Sequence, residues 1–318
     1  MEKIKIIMDV DVGIDDTVAM CLALGNENFE VLGFTTVFGN HRCDVTTKNT
    51  LKVLEMLGHP DIPVAVGANR PLVKEYIPPE ASIVHGKDGL GDMPEPLPEP
   101  TIKPIEKSAV QFMADTLRES DEPITLVPVG PLTNIATLIM THPELLHKIK
   151  EVAIMGGTTI KGNASPVAEA NIIKDAEAAY ILFHSGLKIK MAGLDATQNG
   201  YIAFEDLEEF RKANWLSEKI HSMFDIYIEH YRDRMKNPGI AMHDSLPLAW
   251  LIKPELVKAE DYYVTVDING RYTYGMTVAD VDNVMKKTPN VTVAMGVDRV
   301  PFIQMINDAI ENIAKNKK

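Results

Sequence analysis

Residues 6–16 read Ile6-Ile7-Met8-Asp9-Val10-Asp11-Val12-Gly13-Ile14-Asp15-Asp16, an apolar, strand-like run that ends in four carboxylates within eight positions. Carboxylates at that density repel one another, so a fold that keeps them must compensate them with a cation or a substrate network. Hard cations with oxygen ligands, Ca²⁺ or Mg²⁺, suit such a donor set. If the strand persists, Asp9 and Asp11 point the same way. Gly13 then lets the chain turn, and Asp15 and Asp16 fall at a helix N-terminus, where the macrodipole favours acidic residues. A cation at that bend could take Asp11 and Asp16 from opposite walls.

The rest of the chain alternates β-branched apolar runs with amphipathic segments. After the first strand, DDTVAMCLALG reads as a helix closed by Gly25, FEVLGFTTVFG as a strand, 45–57 as a helix and IPVAVGA as a short strand. Strands PITLVPVG, EVAIMGG and LKIKMAGLDAT follow, separated by the helices SAVQFMADTLRES, LTNIATLIMTHPELLHKI and DAEAAYILFHSG. Residues 204–235 are helical with a break near Ala213-Asn214, and DSLPLAWLI is a further helix. The segment YYVTVDINGRYTYGMTVAD reads as a hairpin, because Asn269-Gly270 suits a type I′ turn. The strand VTVAMGV and a final helix close the chain.

Such alternation predicts an α/β protein with an open, mostly parallel sheet covered by helices on both faces, and the hairpin makes it mixed. No linker or repeat divides the 318 residues, so one domain, 1–318, is expected. The proline-rich, aperiodic stretch at about 71–104, containing VHGKDGLGD, is expected to be an active-site flap.

A hydrophobic fraction of 45% supports a full core. No apolar run approaches the roughly 20 residues of a spanning helix, and the N-terminus enters a strand with no signal-peptide pattern, so a cytoplasmic protein without a membrane partner is expected. A net charge of −13 disfavours nucleic-acid polymers but not a small uncharged ligand. Cys21 and Cys43 are too few for a disulfide framework or a cysteine-based zinc site and read as core residues.

Polar groups recur at the strand ends: Asn40 after TTVFG, the VGPLTN segment, Gly156-Gly157, and Asn163, Glu169 and Asn171 within GNASPVAEANIIKD. In open α/β sheets ligands bind beyond these carboxyl ends. His243-Asp244 opens a helix. Alone, Asp244 reads as an N-cap, whereas His243 titrates near neutrality and could act as a general acid. Tyr227 and Tyr231 share a helical face, a spacing that by itself signals packing. His85, taken alone in a glycine-rich loop, reads as solvated.

Two motif families can be weighed against the opening stretch. An EF-hand counted from Asp9 needs Gly and Glu where Ile14 and Met20 stand, so it fails. A Mg²⁺-dependent phosphatase of haloacid-dehalogenase type also opens with a strand and D-x-D, making Asp9 the nucleophile. Its later acidic pair is missing, since GLDAT offers only Asp195.

Taken together, the motifs resemble the nucleoside hydrolase family, in particular its inosine–uridine-preferring branch. The opening D-x-D-x-G-x-D-D, TTVFGN at 35–40, VPVGPLTN at 127–134, GNASPVAEAN at 162–171, His243-Asp244 and GMTVAD at 275–280 stand in family order. The resemblance implies a Rossmann-like nucleoside hydrolase fold and Ca²⁺-dependent cleavage of the N-glycosidic bond of ribonucleosides, of pyrimidine or inosine–uridine preference. It implies Ca²⁺ bound by Asp11, Asp16, Asp244 and the main-chain carbonyl of Val129. Asp11 would also accept a proton from water, and His243 would be the acid facing the leaving base. Asp15, Asn40, Asn163, Glu169 and Asn171 would hold the ribose, with His85, Tyr227 and Tyr231 around the base. A homodimer or homotetramer is implied as well.

Four residues depart from the family pattern: Val12 and Ser245 where Pro is frequent, Val129 where Thr is common, and Ala170 where Phe is common. The first two touch backbone stiffness only, and a backbone ligand makes no demand on the side chain of Val129. A small residue at 170 enlarges the base pocket. A riboside-binding protein without turnover would use the same pocket, but the intact Asp11, Asp16, Asp244 and His243 argue against it.

Overall fold

The strands are β1 (Ile4–Val10), β2 (Phe29–Thr36), β3 (Val64–Val66), β4 (Ile105–Ser108), β5 (Ile124–Pro128), β6 (Ile149–Met155), β7 (Ile189–Ala192), β8 (Tyr201–Ala203), β9 (Gly239–Ala241), β10 (Val257–Tyr262), β11 (Val264–Val266), β12 (Thr277–Ala279) and β13 (Val291–Val297). The helices are α1 (Ile14–Gly25), α2 (Cys43–Leu57), α3 (Ala109–Glu119), α4 (Thr133–Thr141), α5 (Ala170–Lys174), α6 (Ala176–Phe183), α7 (Leu194–Thr197), α8 (Leu207–Ala213), α9 (Trp215–His221), α10 (Phe224–Glu229), α11 (Ser245–Ile252) and α12 (Arg299–Asn316). The structure, a computed structural model, describes residues 3–76 and 84–317. Part of the expected flap, residues 77–83, lies outside the described residues.

A nine-stranded sheet runs β10-β13-β7-β6-β5-β1-β2-β3-β4, with β1 near its middle. All neighbouring pairs are parallel except β10 with β13. Side-chain alternation along the strands builds a core on each face. Ile6, Met8 and Val10 of β1 pack on one side with residues of α1, α2, α11 and α12. Ile7, with Ile124 and Leu126 of β5, packs on the other with α3, α4 and α6. The mostly parallel, mixed sheet with helices on both faces is as the alternation predicts.

The source of the antiparallel character differs from the expectation. β11 and β12 do pair antiparallel, but as a separate two-stranded sheet. Their connection is residues 267–276, not a two-residue turn at Asn269-Gly270. Asp267 prevents the tight turn: its Oδ1 accepts from the backbone N–H of Asn269 and Gly270, and its Oδ2 from the Thr273 hydroxyl. An Asp side chain that mimics a turn in this way overrides the dipeptide signal. The antiparallel edge of the main sheet is β10 instead. Other predicted elements are subdivided: Pro143 ends the α4 region and opens a 3₁₀ turn (Pro143–Lys148), and LKIKMAGLDAT bends at Gly193 into α7. Asn214 marks the predicted break, its side chain accepting from Leu216 and Ser217 to start α9. Both cysteines are buried and free.

β1, β2, β5, β6 and β7 all end on one edge, and their following loops, with the start of α11, carry polar residues that include Asp11, Asn40, Asn163 and Asp244. No described helix is long and apolar enough to cross a membrane.

Candidate active site

Beyond this edge lies a cavity of about 320 Å³, within the range typical of small-molecule sites. Its deep end is acidic. One carboxylate oxygen from each of Asp15, Asp16 and Asp244 lies within 4.8 Å of the others, and all three side chains are buried. Asp16 is oriented by the turn that sequence predicted: its Oδ2 accepts from the Gly13 N–H at 2.9 Å and from Asn40 Nδ2 at 3.3 Å, and its Oδ1 from the Asp11 N–H at 3.2 Å. Asp244 occupies the N-cap position of α11, yet its side chain makes no capping hydrogen bond. The purely structural use of that residue is therefore not the one the fold makes of it.

Asp11 lies just past the end of β1. Its Oδ2 accepts from the Asn40 N–H at 2.7 Å, while Oδ1 is buried with no hydrogen-bond partner among the described residues. Gly39 and Gly130 wall the group closely: a Cβ on Gly39 would stand 2.0 Å from Oδ2, and one on Gly130 would stand 2.6 Å from Oδ1. Asp15 Oδ1 is likewise buried without a hydrogen-bond partner. Burial and then mutual repulsion push the Asp16 and Asp244 carboxyls well above the usual range. Burial raises Asp11 to about 6, against the lowering effects of Lys174 and the Asn40 N–H. Orphaned buried oxygens and raised carboxyls are the marks of an oxygen-only donor set short of positive charge. The cluster could therefore hold a hard metal ion.

Of the residues that the resemblance assigns to the metal, Asp16 and Asp244 stand in the tightest cluster, where Asp15 is the third member. Asp11 interacts electrostatically with all three. Val129 lines the same cavity, and its carbonyl accepts from Asn171 Nδ2 at 2.7 Å.

The side wall of the cavity comes from the loop after β6 and from α5. Glu169 caps α5, its carboxylate accepting from the N–H groups of Asn171, Ile172 and Gly157. Asn171 Nδ2 also reaches the Met155 carbonyl, so Asn171 ties α5 to two strand ends. Asn163, at the exposed mouth, accepts from the Ala170 N–H at 2.9 Å.

The far end is aromatic. Tyr227 on α10 and Tyr231 on the following π-helical turn (His230–Met235) are buried, 5.3 Å apart between ring centroids, and both line the cavity. Their spacing signals packing, and the structure adds a π-turn that brings both rings to the pocket. His85 corrects the expectation of a solvated loop residue. It is buried, packs on Tyr227 at 5.3 Å, and its Nδ1 accepts from the Ile14 N–H at 3.1 Å. Burial pushes its pKa down to about 4, so the ring is neutral with the proton on Nε2. His243 is also buried and its pKa is lowered, chiefly by burial. Nε2 shares a 2.8 Å hydrogen bond with Tyr231 Oη, and Nδ1 a 2.7 Å hydrogen bond with Thr197 Oγ1.

Three contributors escaped sequence reasoning. Thr197 lies in GLDAT, read only for its Asp195, whose carboxylate is engaged by Thr159. Lys174 lines the cavity with Nζ 3.9 Å from Asp11 Oδ2. Its position three residues after Asn171 on one helix was the available signal. His230 lines the pocket beside Tyr231.

Asp9 is outside this constellation. β1 ends at Val10, and the Asp9 carboxylate turns to Thr35 Oγ1 at 2.6 Å and Asn134 Nδ2 at 2.7 Å. Burial raises its pKa to about 7, and it contributes nothing to the cavity lining. A phosphatase nucleophile there finds no support.

An acidic cluster and an aromatic, histidine-bearing wall across one pocket are the groups that glycoside cleavage uses. Comparison with known proteins gives the same class. The family described as inosine-uridine preferring nucleoside hydrolase matches residues 6–304. The pyrimidine-specific ribonucleoside hydrolase RihA of Escherichia coli (strain K12) is 43% identical over 310 residues, 97% of this chain and 98% of that one. The solved purine-preferring ribonucleoside hydrolase from Gardnerella vaginalis superposes with a TM-score of 0.91 at 33% identity, covering 98% of this chain and 99% of that chain. The plant nucleoside hydrolase PpNRh1 does so at 0.89 and 32%, covering 96% and 98%. The chain belongs to the inosine-uridine preferring nucleoside hydrolase family. It is a ribonucleoside hydrolase, an enzyme that cleaves N-glycosidic bonds.

Proposed function

We propose that the enzyme prefers pyrimidine ribonucleosides and works with Ca²⁺ held by Asp11, Asp16, Asp244 and the Val129 carbonyl. The observation that carries this reading is a single cavity with orphaned carboxylate oxygens at one end and the Tyr231–His243–Thr197 hydrogen-bond chain at the other. The bound cation would supply a fixed anchor for vicinal hydroxyls and make nearby water more acidic. Asp15, Asn40, Asn163, Glu169 and Asn171 hold the ribose against it. Asp11 takes the proton of the attacking water. The surrounding carboxylates offset the positive charge that grows on the sugar ring as the glycosidic bond breaks.

The leaving base needs a donor. A neutral imidazole donates through one nitrogen and accepts through the other. The chain at His243 therefore runs either from Thr197 towards Tyr231 or in reverse. Only the first direction moves a proton outward: Thr197 Oγ1 donates to Nδ1, Nε2 donates to Tyr231 Oη, and the Tyr231 hydroxyl is left to donate to the base. His243 is then the acid, acting through Tyr231: the hydroxyl proton goes to the base, the Nε2 proton replaces it on Oη, and solvent restores the ring proton after the base leaves, balancing the proton that Asp11 releases. His85 and Tyr227 pack around the base. Residues 71–76 and 84–104 are the described part of a flap at about 71–104 that brings His85 over the sugar, on a single domain spanning 1–318.

Pyrimidine preference is supported by the RihA relative, which is more similar in sequence than the purine-preferring structural neighbour. Those two names also differ over one fold, so base choice belongs to the few residues at the aromatic end and to the small Ala170. Homodimer or homotetramer assembly and a cytoplasmic location complete the proposal, the first being testable by sedimentation.

Free ribose should be assayed with uridine, cytidine, inosine and the 2′-deoxy forms in the presence of Ca²⁺. Uridine and cytidine should turn over at least about tenfold faster than inosine, and the deoxy sugars should lose most of the rate, since the diol anchor is missing. No ribose from any nucleoside would sink the reading, and an inosine optimum would overturn the base preference alone.

A further inference from the structure

Among the described residues that line the cavity, Lys174 is the one lysine or arginine. Its charge acts on Asp11 and on Glu169, and Asp15 and Asp244 line the same cavity. Its side chain is only 23% exposed, and Nζ stands 3.9 Å from Asp11 Oδ2, so the ammonium is turned in towards Asp11. Surface lysines do the opposite, burying the stem and keeping the head in water.

The backbone that carries it is pinned on both sides. Glu169 and Asn171 anchor the start of α5. Just after Lys174, the Asp175 carboxylate accepts from Thr133 Oγ1, the Leu72 N–H and the Ala178 N–H. Only the four side-chain torsions of Lys174 are free to change. Asp11 Oδ2 also accepts from the Asn40 N–H, so the ammonium can leave without stranding that oxygen.

We infer that Lys174 is a resident counter-cation of the carboxylate cluster, which a divalent ion must displace and which thereby sets how tightly the ion is held. The inference rests on the metal reading proposed above. Two cations cannot share Asp11 at contact distance without strong repulsion in a buried site. When a divalent ion binds, the lysine head therefore swings towards the cavity mouth. When it leaves, the lysine limits the repulsion among the acids.

The test is calorimetric titration of Ca²⁺ into chelator-treated wild type, Lys174→Met, Lys174→Gln and Lys174→Arg, with thermal melts of each protein with and without Ca²⁺. Removing the competing charge should tighten Ca²⁺ binding about tenfold in the Met and Gln variants. It should also lower the melting temperature of their chelated forms, so that Ca²⁺ stabilises them more than it does wild type. Arg, which keeps the charge, should stay near the wild-type affinity. Equal or weaker binding in both neutral variants, with Ca²⁺ still bound by wild type, overturns the inference and leaves the metal reading standing. No binding by any of the four proteins overturns both. Two neutral variants of different polarity guard against one failing to fold.

Discussion

His243 carries two hydrogen bonds through one neutral ring, and each partner fixes the other's role. Thr197 can hold Nδ1 as an acceptor only if the ring proton is on Nε2, which then faces Tyr231. Removing the ring should therefore affect only substrates whose leaving group needs a proton. His243→Ala should slow uridine turnover by about 10²–10⁴-fold, the usual span for a positioned general acid. An aryl riboside with an activated leaving group should lose less than about tenfold. Steady-state kinetics on the two substrates decides the matter, and equal losses would remove His243 from the acid role. At this scale the sequence reveals which residues are chemically able, not what they touch. His85 looked solvated because a glycine-rich loop gives no periodic signal of burial, yet it closes over Gly13 so tightly that a Cβ there would lie 2.5 Å from its Nδ1.

α5 shows how a five-residue element holds several roles at once. Glu169 satisfies the helix start, Asn171 fastens it to the ends of β5 and β6, and Lys174 projects towards Asp11. Asn171→Ala would leave the buried Val129 and Met155 carbonyls without their amide donor, which should destabilise the protein by about 1–3 kcal/mol. A melt of the substrate-free variant should show a loss of a few degrees, and KM for uridine should rise if, as proposed, Asn171 also holds the ribose. An unchanged melt would mean that neighbouring groups or water replace the amide. Elements were legible wherever the apolar period was regular: β1, α1, β2, β5 and β6 all appear where alternation puts them. Reading failed where one polar side chain decided the backbone, as Asp267 does in replacing the Asn269-Gly270 turn by a ten-residue connection. The candidate site was legible in its carboxylates and amides because these come in dense local motifs. Thr197 and Lys174 sit singly in ordinary helical sequence, and only the fold brings them to the pocket.

For the molecule as a whole, the acidic cluster couples folding, pH and ion binding. A carboxyl whose pKa is raised by folding binds its proton more tightly in the native state. Its contribution to stability is full at low pH and is lost as pH rises through the folded value. Burial holds Asp9 at about 7 and Asp11 at about 6, and keeps Asp16 and Asp244 raised as well. Chelator-treated protein should therefore lose stability between about pH 6 and 8. The buried histidines act in the opposite direction. His85, pushed down to about 4, and His243, also lowered, destabilise the fold as pH falls, but only below the ordinary imidazole value of 6.5 at which the unfolded chain takes up protons. Between pH 8 and 6.5 the carboxylates act alone, and the chelated protein should gain roughly 1–2 kcal/mol on acidification, each unit of pH being worth up to about 1.4 kcal/mol per fully responding group. A divalent ion bound by the same oxygens supplies the compensation that protons otherwise give, so excess Ca²⁺ should raise the melting temperature at pH 8 and flatten its pH dependence. Melts at pH 6.5 and 8, with chelator and with Ca²⁺, measure both slopes. Parallel slopes would mean that the ion binds away from Asp11, Asp16 and Asp244, and that the orphaned oxygens of the pocket are compensated by other means.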